Sequence, residues 1–330
     1  MSEFEPLVDR FGRRHNYLRI SITDRCNFRC QYCLPATAIK WRPREELLSL
    51  EEIGRLVRVF SRCGVDKLRI TGGEPTVRKG WQSLLKDVRG VSGITDRLMT
   101  TNGTGLAQHA SELAELGLTG VNISLDSLRP DRFRQITRQD SLDEVLSGIE
   151  ASLGAGIPRV KLNVVVMAGV NEDEIPDFVA FANERPLQVR FIEFMPFLGN
   201  GWKVDRVIGY REMLEQIKPY FELKPRDGHP SDVAKEFDIV DGAGSIGFIT
   251  SMTDSFCGGC NRLRITADGL LKTCLFLPGN LSLRDLMRAG ADDTQIERAI
   301  RATLLTKWEG HPPMEQWRQL DNLTMMEIGG

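Results

Sequence analysis

Six short apolar stretches recur along residues 17–194, and each is followed by a segment with helical periodicity. They span residues 17–22, 67–71, 97–100, 120–126, 160–166 and 189–194. Strands that alternate with helices pair in parallel, and a complete barrel of this kind has eight of them. Because only six are evident, we predict an α/β fold, an open, partial (β/α)6 barrel of the TIM type.

Polar and glycine-containing segments follow the predicted strands where each strand ends. They are the cysteine-containing loop 26–33, Gly72-Gly73-Glu74-Pro75, Asn102-Gly103, Ser124, Asp126 and Met195. Barrels of this type bind ligands at the carboxyl ends of their strands, so we expect these segments to converge on one mouth. The paired glycines would let the backbone approach a ligand closely.

Local signals give further structural predictions. Ser49 and Ser141 are each followed by Glu three residues later, the spacing of a capping box, so a helix should begin after each serine. Residues 160–166 are rich in Val, which predicts a strand buried on both faces. Asp268-Gly269 predicts a hairpin in the C-terminal part of the chain.

Three cysteines, Cys26, Cys30 and Cys33, follow the first strand with the spacing C-x3-C-x2-C. Structural zinc and electron-carrying [4Fe–4S] clusters use four protein ligands, and no fourth Cys or His follows nearby. A three-cysteine site would leave one iron open for a ligand. Three reduced thiols, or a zinc site completed from elsewhere, are the alternatives. Cys63 stands alone at the end of an amphipathic segment and is expected to be a packed thiol.

A second set, Cys257, Cys260 and Cys274, lies in the C-terminal part. The predicted hairpin would bring Cys274 back toward the C-x2-C turn. Again no fourth ligand follows nearby, since His311 is far downstream, and again an open iron is indicated. A half zinc ribbon that lacks its last ligand is the alternative.

Arginines flank Leu263 in the second set. Arg262 and Arg264 are two residues apart on an extended segment, so they face the same side, and their forked donors suit phosphate oxygens. Other cations on the predicted strands are Arg19, Lys67, Arg69, Lys161 and Arg190. Together they predict a pocket for a polyanion such as a nucleoside triphosphate, although a solvated basic strand would also explain Arg262 and Arg264. No Walker-type loop is present, so ordinary ATP or GTP hydrolysis is not expected.

The net charge and hydropathy of the whole chain argue against several classes of protein. Its 330 residues carry a net charge of −2, which gives no electrostatic case for nucleic-acid or membrane binding. No apolar run is long enough to span a membrane, and the acidic N-terminus is unlike a signal peptide, so we expect a cytoplasmic protein. Residues 241–244 resemble a boundary between a barrel domain, 1–240, and an extension, 241–330, that closes the barrel mouth.

Five motifs together resemble the GTP 3′,8-cyclases of molybdenum cofactor biosynthesis, the MoaA family, within the radical S-adenosylmethionine (SAM) superfamily. They are LRISITDRCNFRCQYCLP at 18–35, RITGGEP at 69–75, TTNG at 100–103, residues 257–264 with Cys274, and Gly329-Gly330 at the end of the chain. The resemblance extends over essentially the whole chain. The second cysteine set with its arginines distinguishes this family from other radical SAM enzymes.

The resemblance implies two [4Fe–4S] clusters, each with three cysteine ligands and one open iron, and SAM bound to the first. Its SAM contacts correspond to Tyr32, Gly73, Ser124 and Met195. Its GTP contacts correspond to Arg19, Arg69, Thr100, Lys161, Arg262, Leu263 and Arg264, with Lys67 and Arg190 as weaker additions. Gly329 and Gly330 would by themselves suggest a frayed end, but the resemblance implies that this tail enters the active site.

The implied reaction uses a 5′-deoxyadenosyl radical to remove the 3′ hydrogen of GTP and gives (8S)-3′,8-cyclo-7,8-dihydroguanosine 5′-triphosphate. An electron donor and a downstream cyclic pyranopterin monophosphate synthase are the implied partners, and a homodimer is one possible assembly. The alternative enzyme is a radical SAM peptide- or cofactor-maturing protein with an auxiliary cluster. A zinc-stabilised nucleic-acid-binding module is a further alternative, against which the near-neutral charge argues.

Overall fold

In a computed structural model of the chain, the twelve strands of the described residues form a single sheet at the centre of the fold. The described residues are 5–33, 41–311 and 324–329. Leu34, Pro35 and Gly330 of the predicted motifs lie outside them. The strands are β1 (Tyr17–Ser21), β2 (Lys67–Thr71), β3 (Asp96–Thr101), β4 (Gly120–Ser124), β5 (Val160–Val166), β6 (Gln188–Glu193), β7 (Leu223–Pro225), β8 (Lys235–Ile239), β9 (Ser245–Ile249), β10 (Arg262–Ile265), β11 (Leu270–Lys272) and β12 (Leu281–Ser282).

The six predicted strands, β1 to β6, pair in parallel and in chain order, which confirms an open α/β barrel. Two further parallel strands extend this row to eight, because β10 pairs with β1 and β9 pairs with β6. The complete sheet, which also includes antiparallel strands, ends at β12 on one side and at β7 on the other. Strand pairing therefore does not close the barrel within the described residues. Residues 241–244 form the turn between β8 and β9, and the domain division at residue 240 stays a prediction.

Amphipathic helices alternate with the parallel strands and bury one face in the core. The helices of the described residues are α1 (Leu50–Arg62), α2 (Trp81–Arg89), α3 (Leu106–Glu115), α4 (Pro130–Thr137), α5 (Leu142–Gly154), α6 (Ile175–Asn183), α7 (Tyr210–Ile217), α8 (Leu283–Arg288), α9 (Asp293–Leu304) and α10 (Met325–Ile328). Within this part of the chain, no helix is both long and apolar enough to cross a membrane.

The two predicted capping boxes have different outcomes. Ser49 caps α1 as predicted: its hydroxyl accepts a bond from the Glu52 N–H at 3.1 Å, and the Glu52 carboxylate accepts one from the Ser49 N–H at 2.7 Å. For Ser141 the predicted helix is present, since α5 begins directly after it, but the predicted capping box is absent because the serine side chain makes no capping bond. Its ψ of 29° departs from the extended backbone that a capping residue needs.

The prediction that residues 160–166 are buried on both faces is also wrong. Fully buried and half-buried residues alternate along β5. The half-buried Lys161, Asn163 and Val165 line a cavity inside the barrel, whereas Leu162 belongs to the hydrophobic core. A run of valines cannot distinguish these faces, because apolar residues are tolerated on both.

The C-terminal segment packs against the barrel instead of fraying. Ile328 at the end of α10 is buried. Gly329 has a φ of 87°, and a Cβ atom there would lie 2.5 Å from the Cβ of Ser21 and 3.1 Å from the Oγ1 of Thr71. Ser21 and Thr71 are the last residues of β1 and β2, so the tail reaches the carboxyl ends of these strands. Only glycine fits at this position without displacing its neighbours.

Candidate active site

A cavity of about 310 Å³ lies inside the barrel, and most side chains predicted to bind SAM or GTP line it. They are Tyr32, Gly73, Ser124 and Met195, then Arg19, Arg69, Thr100, Lys161, Arg262 and Arg264, and the weaker candidates Lys67 and Arg190. Every one of the six predicted strands contributes to this lining. The side chain of Leu263 does not, because it is buried in the core on the other face of β10.

The two cysteine sets lie at opposite ends of the parallel strands. Cys26 follows β1 at its carboxyl end, whereas Cys260 precedes β10 at its amino end, and these strands run parallel with Tyr17 beside Arg262. Cys274 returns to the same end as Cys260 because β11 is antiparallel to β10. Five residues of strand span about 16 Å. The arrangement therefore separates the two sets by roughly the length of the strands.

The thiols of Cys26, Cys30 and Cys33 line the large cavity. Burial raises the pKa of Cys26 to about 11 and that of Cys33 to about 12, and it raises the pKa of Cys30 well above the ordinary range. Electrostatic repulsion among the thiols and from Asp126 contributes to the raised pKa values of Cys30 and Cys33. Such thiols stay protonated until a metal displaces their protons.

The Gly72-Gly73 turn is tied to the cysteine loop through the backbone. The Gly73 N–H donates to the carbonyl of Thr23, and the Glu74 N–H donates to that of Arg25, both at 2.8 Å. A Cβ atom on Gly73 would lie 2.3 Å from the Arg25 carbonyl oxygen. Glycine is therefore needed here to avoid a clash with the backbone that leads into the cysteine loop, in addition to allowing close approach of a ligand. The buried Glu74 carboxylate accepts a bond from the Asn102 N–H at 2.6 Å and so connects the turn to β3. The sequence did not indicate this role for Glu74.

Tyr32 is oriented by a buried carboxylate at the end of β4. Its hydroxyl donates to Oδ2 of Asp126 at 2.7 Å, and the other oxygen of Asp126 accepts a bond from the Val165 N–H at 2.8 Å. Burial raises the pKa of Asp126 to about 6, although both hydrogen bonds oppose the shift. The hydrogen bond fixes the orientation of Tyr32, which lies between Cys30 and Cys33 in the sequence.

Three arginines form one wall of the cavity. Arg19 lies beside Arg69 on one neighbouring strand and beside Arg264 on the other. Arg69 donates to the Tyr17 hydroxyl at 2.5 Å and to the Thr100 hydroxyl at 3.2 Å. Burial lowers the pKa of Arg19 to about 10 and the pKa of Arg264 further. A bound polyanion would interact favourably with these neighbouring guanidinium groups, whose forked donors match phosphate oxygens.

The opposite wall carries Lys161 and Arg190. The Gln188 side-chain oxygen accepts bonds from both, at 2.8 and 2.7 Å, and the Glu236 carboxylate lies 2.9 Å from the Arg190 guanidinium and 3.7 Å from the Lys161 ammonium. Burial and, to a smaller extent, the charge of Arg190 lower the pKa of Lys161 to about 7. The sequence did not identify Gln188 and Glu236 as site residues. Glu236 lies in β8, in a part of the chain where the hydrophobic periodicity is weak.

The thiols of the second set, Cys257, Cys260 and Cys274, border a smaller cavity of about 60 Å³. It adjoins the large cavity, and Arg262 is among the residues that line both. Burial by itself raises the pKa of Cys260, but the charges of Arg262 and Lys307 outweigh it and lower the pKa to about 6. This site therefore stabilises an anionic sulfur.

Both cysteine sets fit an iron–sulfur cluster by their donor chemistry. Within the described ranges, no three His, Cys, Asp or Glu side chains are arranged around a single metal ion. A multi-iron cluster does not need that arrangement, because its cysteines bind separate irons around a cavity. The first set borders the large cavity with its three thiols. The second cavity is bordered by Cys257, Cys260 and Cys274 and also by His311, which the tertiary structure brings to this site although it lies far along the chain.

The sequence matches two family profiles and several curated proteins. The radical SAM superfamily profile covers residues 20–182, and the Molybdenum Cofactor Synthesis C profile covers residues 187–313. The chain is 46% identical to the mitochondrial GTP 3′,8-cyclase of Arabidopsis thaliana over 99% of this chain and 84% of that protein. It is 43% identical to the GTP 3′,8-cyclase of Moorella thermoacetica over 98% of this chain and 100% of that protein.

Other matches are partial or distant. Molybdenum cofactor biosynthesis protein 1 of Mus musculus is 46% identical over 98% of this chain, which spans 51% of that longer protein. The crystal structure of Streptococcus suis SuiB bound to S-adenosylmethionine has a TM-score of 0.60 and 16% identity over 90% of this chain and 68% of that chain, a likeness of fold alone. The two cyclases align along nearly all of this chain and most or all of their own. This chain therefore belongs to the GTP 3′,8-cyclase family of radical SAM proteins.

Proposed function

We propose that this chain is a radical SAM enzyme that converts GTP to (8S)-3′,8-cyclo-7,8-dihydroguanosine 5′-triphosphate, the first step of molybdenum cofactor biosynthesis. The observation that carries the proposal is the cation-lined cavity between two three-cysteine sets. The Arabidopsis and Moorella relatives, both named GTP 3′,8-cyclases, support the same activity. The peptide-maturing alternative is supported only by a shared fold with SuiB, a protein that also has a crystal structure with a bound precursor peptide.

When bound, two [4Fe–4S] clusters and SAM supply an electron and the 5′-deoxyadenosyl radical that removes the 3′ hydrogen of GTP. The proposed ligands are Cys26, Cys30 and Cys33 for the first cluster and Cys257, Cys260 and Cys274 for the second. The proposed SAM contacts are Tyr32, Gly73, Ser124 and Met195. Because these residues border the interior of the barrel, they keep the reacting groups away from bulk water.

The cations of the cavity hold the triphosphate and thereby orient GTP. The proposed contacts are Arg19, Arg69, Thr100, Lys161, Arg262, Arg264 and the backbone of Leu263, with Lys67 and Arg190 in support. Side-by-side guanidinium groups offer paired donors to phosphate oxygens. Binding also places the triphosphate beside several positive side chains at once, which fixes its orientation.

The remaining assignments follow the family. We include in the proposal an electron donor, transfer of the product to a cyclic pyranopterin monophosphate synthase, a homodimer and a cytoplasmic location. We also retain the barrel domain 1–240 and an extension, 241–330, that closes the mouth. The placement of Gly329 against Ser21 and Thr71 supports a role for the tail near the first cysteine set.

The decisive experiment is anaerobic incubation of the reconstituted chain with SAM, GTP and dithionite, followed by mass analysis. We expect equal amounts of 5′-deoxyadenosine and the cyclic nucleotide. Stoichiometric zinc without iron in the purified chain would contradict the proposal. A product from a peptide mixture, with GTP unchanged, would favour the peptide-maturing alternative instead.

GTP binding is expected to weaken as the pH rises from 7 to 9. In the free protein the pKa of Lys161 is about 7, lowered by burial first, and a bound triphosphate raises it by favouring the ammonium. Binding above pH 7 therefore takes up a proton at Lys161, and this group alone lowers the affinity by at most about tenfold per pH unit. Calorimetry in two buffers with different ionisation enthalpies measures this proton uptake.

Two variants separate the groups that titrate in this range. Arg69 and Arg19 lower the pKa of Tyr17 to about 7 against the effect of burial, so its ionisation weakens binding in the same direction. Lys161→Arg should remove one part of the pH dependence and Tyr17→Phe the other. A full wild-type slope in the Lys161→Arg variant would show that Lys161 does not titrate against GTP.

A further inference from the structure

Lys307 follows α9 and reaches the second cysteine set from outside the barrel strands. Only 3% of the residue is exposed. Its ammonium donates to the carbonyl of Thr273, the neighbour of Cys274, and lies 3.7 Å from the sulfur of Cys260. A single cationic group thus bridges the two chain segments that carry this set.

The positive charge of the buried Lys307 lies beside a cysteine sulfur instead of a carboxylate. A buried ammonium group is costly unless a negative group lies beside it. Its bonding partners among the described residues are a neutral carbonyl and the Cys260 sulfur, and no carboxylate of these ranges forms an ion pair with it. A thiolate at Cys260, as in a cluster held by this set, would supply the missing negative charge. Arg262 also lies 3.8 Å from this sulfur, so two cations approach the same ligand.

The segment that carries Lys307 is held against the cysteine loop by a second guanidinium. Arg13 donates to the carbonyl of Cys257 at 2.8 Å and to that of Trp308 at 2.7 Å. The buried Asp9 carboxylate accepts a bond from Arg13 Nε at 2.7 Å and orients it. Since Trp308 directly follows Lys307, these bonds fix the distance between the lysine and the loop.

We propose that Lys307 is a positioning residue for the second cluster. Lys307 joins the chain segments of Cys260 and Cys274, and its positive charge favours the reduced state of the cluster. The inference rests on the proposed function, because it requires a cluster at this set. A positive donor beside a ligating sulfur stabilises the more negative, reduced state and raises the reduction potential.

The test compares Lys307→Met, which removes the charge, with Lys307→Arg, which retains it. Both are made in the full chain with Cys26, Cys30 and Cys33 replaced by alanine, so that a single cluster is titrated. Dithionite with redox mediators supplies one electron per cluster, and the reduced fraction is read by electron paramagnetic resonance. For Lys307→Met we expect the ratio of reduced to oxidised cluster at a fixed potential to fall at least tenfold, about 59 mV for one electron. The arginine variant should change this ratio much less.

Each result of this test either supports or overturns the role of Lys307. An unchanged potential in Lys307→Met overturns the proposal, as does an equal shift in Lys307→Arg. Iron loss confined to the methionine variant supports a requirement for the charge, whereas equal iron loss in both variants overturns it. In a chain that lacks the second cysteine set, Lys307→Met should leave the potential of the first cluster unchanged. Iron content and potential do not depend on GTP turnover, so loss of cyclase activity alone does not affect this test.

Discussion

Replacing Cys26 with alanine is expected to abolish the formation of 5′-deoxyadenosine from SAM. Cys26 is one of only three thiols in the first set, and the loss of one leaves too few ligands for a cluster with an open iron. The decrease should exceed the about 10- to 100-fold effect of changes in residues that only support metal ligands. Anaerobic assay with dithionite, with 5′-deoxyadenosine measured by mass spectrometry, checks the result.

Cys63→Ala is the matched control. Cys63 is fully buried in the hydrophobic core and lines neither cavity. Its replacement should lower the free energy of unfolding by about 1–2 kcal/mol through lost packing, with little effect on 5′-deoxyadenosine formation. Wild-type SAM cleavage by the Cys26→Ala variant would contradict the assignment of the first cluster.

Replacing Gly259 with alanine should eliminate the second cluster while leaving SAM cleavage in place. A Cβ atom there would lie 1.7 Å from the carbonyl oxygen of Pro230 and 2.5 Å from its carbon, so the backbone of the cysteine loop must move. This displacement separates Cys257 and Cys260 from Cys274. We expect the loss of about four irons per chain and of the cyclic product, because the first set lies at the other end of the strands.

Gly258→Ala provides a control within the same loop. Gly258 is exposed, and no atom lies within 4 Å of the Cβ position it would gain. This variant adds the same methyl group between the same two cysteines and should retain iron and product formation. Equal losses in both variants would indicate that the loop tolerates no side chain, rather than that contact with Pro230 positions it.

The local features of the site were accessible from the sequence because they depend on neighbouring residues. The spacing of Cys26, Cys30 and Cys33 limits them to one short loop, and the β1–β6 pattern predicts which strand ends meet. The glycine pair was correctly placed at the mouth, but its contact with the Arg25 backbone was not predicted. That contact joins two loops, and no local pattern records it.

Long-range partners could not be predicted in this way. Glu236 contacts Arg190 and Lys161 only because β8 and β9 continue the sheet beyond β6. Lys307 reaches Cys260 only because α9 ends beside the second set. Charged residues of this kind occur on many surfaces, so their types and spacing alone do not distinguish them from solvent-exposed side chains.

The sequence by itself determined the two three-cysteine sets, the order of the first six strands and the excess of cations on them, because residue type and periodicity encode these features directly. Only the tertiary structure decided that the two sets lie at opposite ends of the parallel strands and border two adjoining cavities. That arrangement depends on β10, which pairs in parallel with β1 although it lies far along the chain. Strand pairing over such a distance follows from the packing of the complete sheet, and no local run of residues specifies it.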